Sequence, residues 1–81
     1  MLIDIDADIL NKMSERMKIA REIGLYKKEN NITILQVERW NEILKTQMET
    51  GLAKELTKDF IVKLYALIHD ESIYQQTSVM N

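Results

Sequence analysis

The 81-residue chain contains no cysteine and no proline, and only two glycines. The first absence excludes disulfides, thiolate nucleophiles and cysteine metal ligands. The other two remove the residues that break helices and build tight sheet turns, so an all-α chain is favoured over a turn-rich sheet. Excess charge of one sign is also missing. A formal net charge of −2 and a pI near 5.3 lack the basic footprint of a nucleic-acid binder. No apolar run approaches the ~20 residues of a membrane span, and the N-terminus lacks a basic-then-apolar signal pattern. A soluble, cytoplasmic protein that binds neither nucleic acid nor membrane is expected. With a single histidine, no histidine pair is present to hold a metal.

What the chain does have is 46% hydrophobic and 30% charged residues in helical periodicity. One domain over 1–81 is expected, and a chain this short leaves about 40% of its unfolded surface exposed when it folds alone. Oligomerisation would offset that. Three helices can be read. The first runs from about Ile5 to Glu29 and ends at Asn30-Asn31, residues that tolerate turn conformations. It is long for a globular helix, so it must pack along or across a partner chain. A second is signalled by Thr33-Ile34-Leu35-Gln36, which fits a capping box, and stops near Gly51. Its inner stripe is Val37, Trp40, Ile43, Leu44, Gln47 and Met48. Thr57 is the N-cap expected for the third, with Asp59 in its first turn, and the helix continues to about Thr77. Its apolar arc carries Phe60, Ile61, Leu64, Tyr65, Leu67 and Ile68. The short connections imply antiparallel neighbours.

Several polar residues sit where apolar ones are expected. At roughly 100° per residue, Arg16 and Lys27 fall within the arc formed by Leu2, Ile5, Ile9, Met13, Ala20 and Ile23. Eleven residues separate them, about 16 Å along one face, and each side chain can reach some 6 Å toward the other. Ser72 and Gln76 lie at i, i+4 on the apolar arc of the third helix, with His69 one turn earlier at its edge. Arg39 lies on the shoulder of the second helix, beside Gln36 and Trp40. Each residue alone has an ordinary explanation: a lone cation lays its stem over the core with its charge in water, and Ser72 and Gln76 serve as helix-packing polar groups. Asp6 and Glu71, near the arc edges, offer partial pairing. As a set, three inward cations without matching carboxylates leave positive charge uncompensated, and an anionic ligand such as a dicarboxylate or phosphate would resolve that.

The stretches "LIDIDADIL", "SERMKIAREIGLYKK", "ILQVERW" and "FIVKLYALIHDESIYQQ" together resemble the all-α, type II chorismate mutases, from about Leu2 to Gln76 and without an insertion. The resemblance implies an intertwined homodimer of three-helix chains that converts chorismate to prephenate in phenylalanine and tyrosine biosynthesis. It implies that Arg16 binds a substrate carboxylate and that Lys27 contacts a carboxylate and the ether oxygen of the breaking bond. Arg39 would hold the other carboxylate end, supported by the backbone near Gln36. Ser72 would sit near a carboxylate, Gln76 would donate to the ether oxygen opposite Lys27, and Ile23 would form an apolar wall. The reaction is a unimolecular rearrangement, so no cofactor, metal, nucleophile or general base is called for.

Three features depart from the family pattern. An arginine that reaches the partner subunit's site would lie two residues upstream of Met1, and its absence from this sequence predicts weakened substrate binding. Trp40 stands where many members have a glutamate contacting the substrate hydroxyl, and an indole cannot accept that hydrogen bond. Gln36 stands where an acidic residue is common. The wording "ILQVERW" is similar to mutase domains fused to 3-deoxy-heptulosonate-phosphate synthases, so a fused or associated synthase domain is a further expectation. Two alternatives remain: an isochorismate pyruvate lyase on the same scaffold, and a non-catalytic dimerisation or regulatory module.

Overall fold

The computed structural model describes residues 1–80 and contains three helices: α1 (Leu2–Glu29), α2 (Val37–Ala53) and α3 (Lys58–Met80). Helix α1 therefore starts three residues earlier than its periodicity suggests, and α3 runs three residues further. Asp4 in the first turn of α1 and Lys27 and Lys28 in its last complement the helix dipole.

The two connections use the same device. After α1, Asn31 adopts a left-handed conformation (φ 54°), the Ile32 N–H donates to the Lys27 carbonyl at 2.8 Å, and the Asn31 N–H donates to Lys28. After α2, Glu55 takes that conformation (φ 64°), Leu56 N–H donates to the Gly51 carbonyl at 3.0 Å, and Glu55 N–H donates to Leu52. Both are Schellman closures, which satisfy carbonyls that a helix end leaves open. Asn31 meets expectation. Gly51 does not: it lies within α2, and the left-handed position falls to Glu55. Gly51 is buried because Ile61 occupies the space its side chain would need, with a Cβ there only 2.5 Å from Ile61 Cδ1.

The start of α2 also differs. Its N-cap is Gln36, whose carbonyl accepts the Trp40 N–H at 3.0 Å, and Thr33 caps nothing. The Ile34 carbonyl is held instead by the Lys27 ammonium at 2.9 Å, and residues 32–35 are not helical. Thr57 does occupy the N-cap position of α3, its carbonyl accepting from Ile61 N–H at 3.1 Å, and Asp59 lies in the first turn.

The described residues gather into two compact units. One comprises Met1–Ile34 with α3 from Ser72 onward; the other comprises Leu35–Glu71. In the first, Arg16, Arg21 and Lys27 meet Ser72, Gln75 and Gln76 in the same order, so α1 and this part of α3 run parallel. Ala20 and Gly24 are the buried residues of α1. In the second unit, Trp40 meets His69 and Gly51 meets Ile61, so α2 and the first half of α3 run antiparallel. Ile61 and Ile68 are buried there, whereas Phe60, Leu64, Leu67 and Val37 stay exposed. The apolar arc of α1 is likewise uncovered over its first half, with Leu2, Ile5 and Ile9 all more than half exposed. No helix among the described residues is long and apolar enough to cross a membrane.

Candidate functional site

The first unit brings together four of the residues singled out in the sequence. Arg16 Nη1 donates to Ser72 Oγ at 2.5 Å, and Lys27 Nζ donates to Gln76 Oε1 at 3.0 Å. Ser72 and Gln76 are each only 8% exposed, and both cations are half-buried. The i, i+4 spacing on α3 sets Ser72 and Gln76 one turn apart, about 6 Å along the axis, whereas Arg16 and Lys27 are separated by about 16 Å on α1. Each long side chain reaches across to its own partner on α3.

Hydrogen-bond chemistry assigns the orientation of Gln76. An ammonium can only donate, so Oε1 faces Lys27 and Nε2 remains available as a donor. Lys27 also donates to the Ile34 carbonyl, and no carboxylate takes part in either bond. The ion pairs Met1–Asp4, Lys12–Glu15 and Arg39–Glu42 include neither Arg16 nor Lys27. Burial strips water from the Lys27 ammonium and lowers its pKa below the ordinary lysine value. Two cations with neutral partners, one of them desolvated, form a site that an anion would stabilise.

The other expected residues are placed differently. Ile23 borders this region on α1 but is 42% exposed. Arg39 departs from the inward direction expected of it: its side chain is 70% exposed and lies 4.0 Å from Glu42, one turn along the same helix. Gln36 is exposed at the α2 N-terminus, where with Val37, Glu38, Arg39 and Glu42 it lines an open depression. Trp40 is half-buried and stacks on His69, ring centroids 4.1 Å apart and planes 28° from parallel. Among the described residues, no group of three or more His, Asp or Glu side chains could hold a metal ion.

Two contributors escaped the sequence reading. Arg21 Nη1 donates to Gln75 Oε1 at 3.0 Å, tying α1 to α3 beside Gln76. Gly24, buried on α1, permits close approach of the α3 backbone at Gln76. The available signal was the Ala20, Gly24 pair at i, i+4 on the arc that carries both cations.

Comparison with known proteins bears on this geometry. A sequence profile described as chorismate mutase type II matches residues 2–77. A bifunctional chorismate mutase/prephenate dehydratase of Buchnera aphidicola subsp. Schizaphis graminum is 30% identical over 78 residues, covering 96% of this chain and 20% of the relative. The protein of the same description from Escherichia coli K12 is 25% identical over 76 residues, covering 94% of this chain and 20% of the relative. The chain thus spans about a fifth of the length of these curated relatives. No solved structure matches it significantly.

Proposed function

This chain belongs to the type II chorismate mutase family, and from that premise we propose that it rearranges chorismate to prephenate in aromatic amino acid biosynthesis. The observation that carries the reading is the pairing of Arg16 and Lys27 with the buried neutral groups of Ser72 and Gln76. In a pericyclic rearrangement one C–O bond breaks as one C–C bond forms within a single molecule. The protein contributes by holding the compact conformer and by stabilising negative charge that grows on the ether oxygen.

Arg16 binds one substrate carboxylate, with Ser72 beside it. Lys27 and the Gln76 amide donate to the ether oxygen, one from each helix. A carboxylate arriving at Arg16 replaces its neutral partner with an anion, and the desolvation that weakens water's hold on Lys27 strengthens its attraction for developing charge. These donors interact more strongly with the transition state than with the ground state, as rate acceleration requires. Arg39 takes the second carboxylate with the backbone near Gln36; its exposed guanidinium is held only by the 4.0 Å contact with Glu42, so little has to be broken. Ile23 provides an apolar wall, and Trp40 replaces a polar contact with a ring surface.

A homodimer completes this reading. Residues 2–12 of α1 are all exposed in the single chain, and Leu2, Ile3, Ile5, Ile9 and Leu10 put a broad apolar surface among them. A second copy of α1 is the complementary surface. The bifunctional relatives support a fused or associated domain as a further partner, although theirs is a prephenate dehydratase and not the expected synthase, and a biosynthetic role supports a cytoplasmic location.

The test is incubation of the purified chain with chorismate, product identification, and a parallel reaction with isochorismate. Prephenate from chorismate is the expected result. Pyruvate and salicylate from isochorismate alone would instead identify a lyase, and turnover of neither would identify a binding or regulatory module.

A further inference from the structure

Gly24 sits three residues before Lys27 on α1, under the α3 backbone. A Cβ there would lie 2.8 Å from both Cα and O of Gln76 and 2.7 Å from Val79 Cγ2. Two of those three atoms belong to the main chain of the residue that accepts from Lys27, and main chain cannot rotate aside. Arg21, bonded to Gln75 at 3.0 Å, holds α3 in register immediately alongside.

We propose that Gly24 is a positioning residue for the rearrangement: its missing side chain sets the separation of α1 and α3 at which Gln76 meets Lys27. The inference rests on the mutase reading and extends it to a residue that touches no substrate. A methyl group at this position needs at least 3.4 Å for ordinary contact, so the Gln76 backbone must retreat by about 0.6 Å or more. A misplacement of ~1 Å in a catalytic constellation costs roughly a hundredfold in rate. The Arg16 contact lies eight residues earlier on α1, about 12 Å away along the axis, and is left in place.

Gly51 supplies the control. It is just as crowded, but the atoms that a Cβ would meet are side-chain carbons of Ile61 and Leu56, not the Lys27–Gln76 pair. Gly24→Ala, Gly24→Ala with Val79→Ala, and Gly51→Ala are compared with the wild-type chain for kcat, KM and thermal unfolding. Gly24→Ala is expected to lower kcat by about ten- to a hundredfold with KM changed less than about threefold. Adding Val79→Ala removes the side-chain clash but leaves the Gln76 backbone in the way, so kcat stays low; Gly51→Ala lowers the melting temperature and keeps kcat.

Wild-type kcat in Gly24→Ala would overturn the proposal. So would its recovery in the double variant, which would reduce Gly24 to a packing partner of Val79, or an equal loss in Gly51→Ala, which would reduce it to general destabilisation. Should Gly24→Ala not fold, the double variant carries the same test, and near-wild-type kcat in it overturns the proposal. A wild-type chain that does not turn over chorismate overturns the mutase reading itself, whereas an active wild type with an indifferent Gly24→Ala overturns only the role of Gly24.

Discussion

Gln76→Glu is the substitution that most directly questions the proposed chemistry, because it changes one donor into an acceptor without changing shape. The Gln76 oxygen that accepts from Lys27 at 3.0 Å is retained, and the amide nitrogen becomes the second carboxylate oxygen. Above its pKa that group offers no proton to the ether oxygen. Loss of one donor aimed at developing charge costs on the order of 10²–10³ in rate, about 2.7–4 kcal/mol. The carboxylate also repels the charge it faces; full unit charges 4 Å apart at an effective dielectric of ~20 interact by ~4 kcal/mol, of which a partly charged oxygen feels a fraction. A loss of at least about a thousandfold in kcat near neutrality is therefore expected. As pH falls the introduced carboxyl takes up a proton and regains a donor, so kcat climbs about tenfold per pH unit until it plateaus. The assay is chorismate disappearance from about pH 8 to about pH 4.5, spanning ordinary carboxyl titration, with wild type measured alongside and folding followed by circular dichroism. Near-wild-type kcat at neutral pH, or a depressed profile that stays flat, would remove Gln76 from the ether oxygen.

Four other outcomes test neighbouring parts of the argument. Because Lys27 must be protonated to act and burial lowers its pKa, wild-type kcat should fall as pH rises toward the ordinary lysine range. The unfolded chain binds more protons in that window, so Lys27's contribution to stability rises while activity falls; Lys27→Arg should have low kcat but no alkaline limb, and a limb that persists would assign it to another group. Arg16→Ala removes a charge-assisted carboxylate contact of about 1.5–3 kcal/mol, so KM should rise roughly ten- to a hundredfold, and an unchanged KM would place the carboxylate elsewhere. Glu55→Gly relieves a left-handed non-glycine residue (φ 64°), with the gain partly cancelled by glycine's chain entropy. A net ~0.5–1 kcal/mol should raise the melting temperature by about 2–8 °C, and no rise would mean that the turn is unstrained. Ile9→Asp places a charge on the exposed face of α1 and should convert a dimer into a monomer in sedimentation experiments; an unchanged sedimentation coefficient would mean that this face is not the contact.

The helices were legible because their cause is local. Periodicity, Asn31 and Thr57 mark where three amphipathic segments lie and turn. What was not legible depends on residues distant in sequence. Thr33-Ile34-Leu35-Gln36 fits a helix start, yet Lys27 claims the Ile34 carbonyl and α2 begins after Gln36. Gly51 reads as a helix stop, yet it answers to Ile61, ten residues on, and the left-handed position goes to Glu55. At the candidate site, Arg16, Lys27, Ser72 and Gln76 were legible as polar exceptions on apolar arcs. Gly24 was not, because a missing side chain leaves no polarity to notice, and Arg39 was overread, because a shoulder position does not decide which way a long side chain turns.

The two halves of α1 leave complementary requirements unmet within one chain. Residues 2–12 expose apolar surface with nothing of this chain over it, while Arg16 and Lys27 in its second half have only neutral partners. Burial of the first half needs a protein surface, and compensation of the second needs an anion. Both requirements fall on one continuous helix of about 42 Å, so ordering imposed at either end is transmitted along a single hydrogen-bonded rod. In the proposed mutase, dimerisation and substrate binding would each favour the native state by mass action, and both would act through α1. In that mutase, cations that would destabilise an isolated three-helix unit would be held in place by a helix whose other half a second chain anchors.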